Sequence, residues 1–248
     1  MKITGNTILI TGGATGIGFA LAQALVESEN EVIICGRREQ KLLEAKNKLP
    51  QLQVKVCDVA NEANRVELFD WATTHFKSLN ILVNNAGIQR QVDFKKGVKG
   101  LSEESEIDIN LAAPIHLSAL FIPHLMAQAE AAIVNVSSGL GFIPIALMPI
   151  YCATKAGLHS FSLTLRRQLR DTPVKVYEII PPTVDTDLDQ GARARRGQQD
   201  RGIPPAEVAL AALSAIENDE FEKPVGPAQR LWQGARSEPE KLFNMMNH

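Results

Sequence analysis

Seven residues near the start of the chain do most to limit its fold. Gly12-Gly13-Ala14-Thr15-Gly16-Ile17-Gly18 carries four glycines. It follows the apolar run Thr7-Ile8-Leu9-Ile10 and leads into a helical pattern from about Gly16 to Ser28. Glycine lets a backbone turn sharply and approach a ligand closely. The start of a helix offers unpaired N–H groups and the positive end of the macrodipole, which suit a pyrophosphate. The spacing is Gly-x-x-x-Gly-x-Gly rather than the commoner Gly-x-Gly-x-x-Gly fingerprint. Placed after a first strand and before a first helix, the stretch predicts the opening unit of a parallel βαβ fold.

The rest of the chain continues that alternation. Val32–Cys35, Val54–Cys57, Ile81–Val83, Ala132–Val136 and Val174–Ile180 read as strands. Glu39–Leu49, Glu62–Phe76, Leu101–Gln128 and Tyr151–Arg170 read as helices, the third despite Pro114 and Pro123, which can kink or split it. Several strands are uninterrupted apolar runs, the mark of a parallel sheet covered on both faces. The expected architecture is α/β: a doubly wound parallel sheet of the Rossmann type, three layers (αβα), one domain over residues 1–248. Residues 186–203 differ. Arg193, Arg195, Arg196 and Arg201 sit there among Asp, Gln and Gly. The segment reads as a mobile excursion over a substrate site, before a helix that starts at Pro204-Pro205. Its arginines could meet an anionic ligand or simply be solvated.

Composition removes several classes of function. A hydrophobic fraction of 45%, a charged fraction of 22% and a net charge of −2 are ordinary for a globular protein and give no reason to expect nucleic acid or an anionic membrane. Cys35, Cys57 and Cys152 show no paired metal spacing, so no metal site is expected, and an odd count points to a reducing cytoplasm. The strand pattern begins almost at once, leaving no room for a signal peptide, and no apolar run is long enough to span a bilayer.

The end of the second strand is where a Rossmann fold meets the adenosine ribose, and an acid there would bind the free 2′-hydroxyl of NAD. Here the residues are Cys35-Gly36-Arg37-Arg38, with no acid. Arg37 offers a planar fork to a 2′-phosphate, which points to NADP with NAD possible; both arginines could instead be a solvated helix start. Asp58 can accept from an adenine amino group or cap the next helix.

Tyr151 and Lys155 lie four apart in a helical pattern and therefore share a face. A phenol loses its proton near pH ~10, and a fixed cation beside it is expected to lower that value toward a usable acid/base. Together with Thr11-Gly12-x-x-x-Gly16-x-Gly18, Asp58, Asn84-Asn85-Ala86-Gly87, Asn110 and Ser138, thirteen residues before Tyr151, the pattern resembles the short-chain dehydrogenase/reductase family over about residues 4–186. The resemblance implies a catalytic set of Asn110, Ser138, Tyr151 and Lys155. Ser138 would orient the substrate oxygen and Tyr151 would pass its proton. Lys155 would hold the nicotinamide ribose, and Asn110 would hold a water that links the lysine to solvent. It also implies cofactor contacts from Gly12, Thr15, Gly16, Ile17 and Gly18, from Asp58 and Val59, and from Asn85, Ala86 and Gly87. Tyr151, Lys155, Pro181, Val184 and Thr186 would complete them. Pro182 stands where the family commonly has glycine, and the last strand, around Phe221–Val225, is short and proline-interrupted.

Substrate is expected between Ser138 and Tyr151, walled by Leu140, Phe142, Leu147 and Leu188, with Gln89, Arg90 and Gln91 at the rim. The implied activity is hydride transfer between nicotinamide and a small-molecule carbonyl or secondary alcohol. The competing reading is a non-catalytic NADP-binding redox sensor, which would have no reason to keep Tyr151 and Lys155 together. The helix containing Asn110 and the helix from Tyr151 carry apolar residues beyond one core stripe, Leu117, Leu120, Phe121, Phe161 and Leu165, and the family resemblance implies that these two helices pair across a twofold axis. A homodimer is expected before a tetramer. The tail from Leu231 to Met246 reads as helical.

Overall fold

The computed structural model describes residues 1–101, 104–189, 197 and 201–247. Seven strands form one parallel sheet: β1 (Thr7–Thr11), β2 (Glu31–Gly36), β3 (Gln53–Val56), β4 (Leu79–Asn84), β5 (Ala131–Val136), β6 (Val174–Ile180) and β7 (Glu222–Pro224). The spatial order is β3-β2-β1-β4-β5-β6-β7, so the chain winds outward from β1 to one edge and then from β4 to the other. Leu9 stands opposite Ile33 and Leu82, and Ile133 opposite Val176, with one register shift between Thr7 and Ile8 where β1 meets β4.

Period-two alternation divides the core between two faces. Ile8, Ile10, Val32 and Ile34 pack against α1 (Gly16–Glu27), α2 (Glu39–Lys48) and α6 (Pro205–Glu217) through Leu21, Leu25, Leu42, Val208 and Ala212. Leu9, Ile33, Leu82, Ile133 and Val176 pack against α3 (Glu62–His75), α4 (Ala113–Met126) and α5 (Pro149–Gln168) through Leu68, Leu117, Phe121 and Leu165. This is the expected doubly wound, three-layer arrangement.

The helix expected from Leu101 starts later. Phe94–Gly100 forms tight 3-10 turns, and the Ser105 hydroxyl accepts the Asp108 N–H at 3.1 Å, a side-chain cap that fixes the helix start there. A π turn over Asp108–Ala112 then feeds α4. Pro114 directly follows the π turn, and neither it nor Pro123 breaks the helix. Contrary to the sequence expectation, Asp108–Met126 is apolar and long enough, at mean hydropathy 1.4, to cross a bilayer. Here Ile109, Ala113, Leu117, Phe121 and Leu125 of that stretch are core residues against the sheet. The tail is two helices, α7 (Ala228–Ser237) and α8 (Pro239–Met246). The break falls at Glu238, which is non-helical at φ −145° and ψ 52° before Pro239.

Candidate active site

The C-terminal ends of β1, β4, β5 and β6 deliver the site residues to one cavity of about 1750 Å³. Gly12 (φ 65°) and Gly16 (φ 56°) carry the chain from β1 into α1 in the left-handed region. Gly18 is needed for closeness: a Cβ there would lie 2.3 Å from the Gly12 carbonyl oxygen and 2.5 Å from Asn85 Nδ2. The Asn85 amide donates to the Thr11 and Gly12 carbonyls at 2.9 and 3.2 Å. The Thr11 hydroxyl accepts the N–H groups of Asn85 and Ala86, both at 3.0 Å. Thr11 thus braces the glycine loop against the Asn84–Gly87 turn. The sequence reading placed Thr11 in the motif but gave it no role.

At the far end of the cavity lie Gly36, Arg37 and Arg38, with Asp58 and Val59 beside them. Asp58 Oδ1 accepts the Ala60 N–H at 3.0 Å, while the cap of α3 is Asn61, which accepts from Asn64 N. The Arg37 guanidinium is ion-paired with Glu104, and the other oxygen of that carboxylate is paired with Arg90. Arg90 and Gln91 do not line the cavity; Gln89 does, and its amide reaches Met148 Sδ.

At the opposite end, Ser138, Tyr151 and Lys155 line the same space. All three are at most 6% exposed. Ser138 follows β5 and caps a short turn through Leu140 N at 3.1 Å, and its side chain favours the phenolate form of Tyr151. Lys155 Nζ donates to the Val136 carbonyl at 2.8 Å and stands 5.7 Å from the Tyr151 ring centroid. Asn110, 1% exposed in the π turn, does not line the cavity. It exchanges hydrogen bonds with Ile88, accepting its N–H at 2.9 Å and donating to its carbonyl at 2.8 Å, and donates to Thr154 at 3.2 Å. A Cβ on Gly87 would sit 3.3 Å from Asn110 Oδ1 and 3.8 Å from Lys155 Nζ, so the amide and the ammonium flank one glycine.

The electrostatics differ from the sequence expectation. Burial pushes the Tyr151 phenol up to about 12, outweighing the Ser138 side chain, which favours the phenolate. Burial brings the Lys155 ammonium down to about 8, partly offset by the Glu178 carboxylate. The phenol's pKa is not drawn below its ordinary value, because burial is the larger effect.

Leu140, Leu147 and Leu188 line the cavity, with Pro181, Val184 and Thr186. Phe142 does not. The turn after Ser138 carries its ring onto His159, 4.4 Å between centroids, where it lines a separate shallow groove with Pro239 and Phe243. Part of the wall comes from residues that sequence reasoning missed: Arg230 and Leu231 of α7, and Met245, Met246 and Asn247 at the tail. The Asn247 amide donates to the Pro144 carbonyl at 3.1 Å, clipping the tail to the segment after β5. The excursion is pinned at both ends, with Val184 bridged to Ile203 and Arg201 donating to Asp185 at 3.0 Å. Arg193, Arg195 and Arg196 lie outside the described residues.

A glycine-loop cleft that ends in a serine, tyrosine and lysine on a doubly wound sheet defines a dinucleotide-binding oxidoreductase. The chain belongs to the short-chain dehydrogenase family, whose model matches residues 6–197. It is 52% identical to an uncharacterized oxidoreductase, DltE, of Bacillus subtilis strain 168, over all of this chain and 98% of that one. A short chain dehydrogenase from Burkholderia cenocepacia, solved in complex with NADP, superposes with a TM-score of 0.83 at 25% identity, covering 99% of each chain. A second, from Burkholderia phymatum and in complex with NAD, gives 0.86 at 23% identity over 100% of this chain and 97% of that one. Family and site together favour a catalytic oxidoreductase over a non-catalytic sensor.

Proposed function

We propose that this oxidoreductase interconverts a small-molecule carbonyl and a secondary alcohol, prefers NADP, and uses Tyr151 to pass the proton. The carrying observation is that Arg37, the glycine loop, Ser138, Tyr151 and Lys155 border one continuous cavity. Its residues fit a dinucleotide. The first turn of α1 has no acidic side chain to compete for its N–H groups, which suits a pyrophosphate held over Thr15–Gly18. Arg37 and Arg38 would take the 2′-phosphate, Asp58 and Val59 the adenine. Asn85, Ala86 and Gly87 would lie along the middle, with Pro181, Val184 and Thr186 beside the nicotinamide. When bound, the nicotinamide supplies or accepts the hydride.

The chain's own residues do the rest. Ser138 and Tyr151, which line the cavity together, would present two hydroxyls to the substrate oxygen. In reduction, Tyr151 donates its proton as negative charge develops there, and Ser138 shares that charge. A phenol raised to about 12 stays protonated at neutral pH and is therefore a competent donor. Lys155 places a cation beside the ribose hydroxyls, and Asn110 fixes the Ile88 backbone behind it. Leu140, Leu147 and Leu188 favour an apolar substituent on the carbonyl carbon. The buried, unpaired thiols of Cys35, Cys57 and Cys152 support a cytoplasmic setting.

A panel of carbonyls with NADPH and of alcohols with NADP, run on the wild type and on Tyr151→Phe, tests the reading. The variant is expected to bind NADP normally and to lose about 10²–10⁴-fold in turnover. Retention of more than about a tenth of the wild-type rate rules out Tyr151 as the proton carrier.

A further inference from the structure

We infer that Glu104 sets how strongly this protein reads the cofactor's 2′-substituent, by holding Arg37 in an ion pair that a 2′-phosphate has to displace. The inference rests on the NADP reading above. Arg37 follows the last residue of β2 and lines the cavity, with 47% of its side chain exposed. Glu104 comes from the segment before the π turn, 67 residues away in sequence. One of its carboxylate oxygens meets Arg37 and the other meets Arg90. Neither Glu104 nor Arg90 borders the cavity, so Glu104 acts on a ligand through Arg37 and is a positioning residue.

The strand end lacks the acid that would repel a 2′-phosphate, since Gly36 stands there. Glu104 brings a carboxylate to the same guanidinium from another element. A phosphate carries about −1.5 to −2 charges. It must either draw Arg37 off Glu104 or settle its oxygens near a like charge. A ribose with a free 2′-hydroxyl meets neither cost. The opposition therefore falls on NADP alone and narrows the preference that Arg37 creates. Replacing the acid with glutamine keeps its size and an acceptor for Arg37 while removing the charge. The loop has a second anchor, because Glu106 accepts the Arg90 backbone N–H at 3.1 Å.

The test is direct binding of NADP and NAD by calorimetry to the wild type, Glu104→Gln, Arg37→Ala and the double variant. Adenosine 2′,5′-bisphosphate against AMP isolates the adenosine end. Glu104→Gln is expected to tighten NADP about three- to ten-fold and leave NAD within about two-fold. In the Arg37→Ala background the gain should fall to less than about half of that. Equal changes for both cofactors, or no change, overturn the inference provided Arg37→Ala still lowers the NADP:NAD ratio. If Arg37→Ala leaves the ratio unchanged, the NADP reading fails and the inference falls with it. Glu104→Ala, monitored by thermal melting, separates loss of charge from any local unfolding.

Discussion

Lys155 shows how much a single buried charge can be made to report. Its ammonium is 4% exposed and its pKa falls from 10.5 to about 8. Between those values the unfolded chain holds a proton that the folded chain has released. The proton count favours the unfolded state, so stability rises with pH through that window. Denaturant titrations of wild type and Lys155→Met should therefore diverge. The wild type is expected to gain on the variant from about pH 8 to about 10, at a slope of up to about 1.4 kcal/mol per pH unit. A difference that is flat across this range would mean the ammonium is solvated. The pairing of Tyr151 with Lys155 was legible because four residues of helix fix two side chains on one face. The direction of the tyrosine shift was not, since it depends on how deeply the folded chain buries the phenol.

The glycine loop is the element whose tolerance can be foretold from geometry. A Cβ on Gly18 meets backbone at 2.3 Å, while one on Gly36 finds only Leu42 Cδ2 at 4.0 Å. Gly18→Ala is expected to cost about 1–3 kcal/mol and to weaken NADP binding, whereas Gly36→Ala should lie within about 0.5 kcal/mol of wild type. Paired chemical denaturation curves decide between them, and equal stabilities would refute the packing argument. Strands, helices and this loop were readable in the sequence because each follows from local periodicity and turn chemistry. The start of the helix before Asn110 was misplaced. Its apolar pattern runs back toward Leu101, but the cap that fixes the start is Ser105. Phe142 was misassigned because the turn after Ser138 reverses the chain, and periodicity carries no signal for that. The docking of α8 was hidden for a related reason: Leu242 seats so close on Gly234 that a Cβ there would be 2.1 Å away, a fit between two helices that neither announces alone.

For the whole molecule, the outer surfaces of α4 and α5 bear on assembly. Leu117, Phe121 and Leu165, expected at a subunit contact, are core residues at most 5% exposed. Leu120 and Phe161 are half-buried against the same core, and Ile115, Met126 and Leu163 are left outside. We propose that these faces join two copies about a twofold axis. Light scattering is expected to give a dimer for the wild type and a monomer for Leu163→Glu; a wild-type monomer, or a variant that stays paired, would refute this face as the contact. Seen across the whole chain, the cavity has two kinds of border. The hydroxyl-and-ammonium cluster hangs from β5 and α5, within the stretch shared with the family, residues 6–197. Part of the wall facing it is made by Met245, Met246 and Asn247, beyond that stretch and clipped on by Asn247. A descendant could exchange its last twenty or so residues, from the start of α7, and meet a new molecule without altering one reacting group. Inheritance of the chemistry and drift of the diet are, in this architecture, written on different parts of the gene.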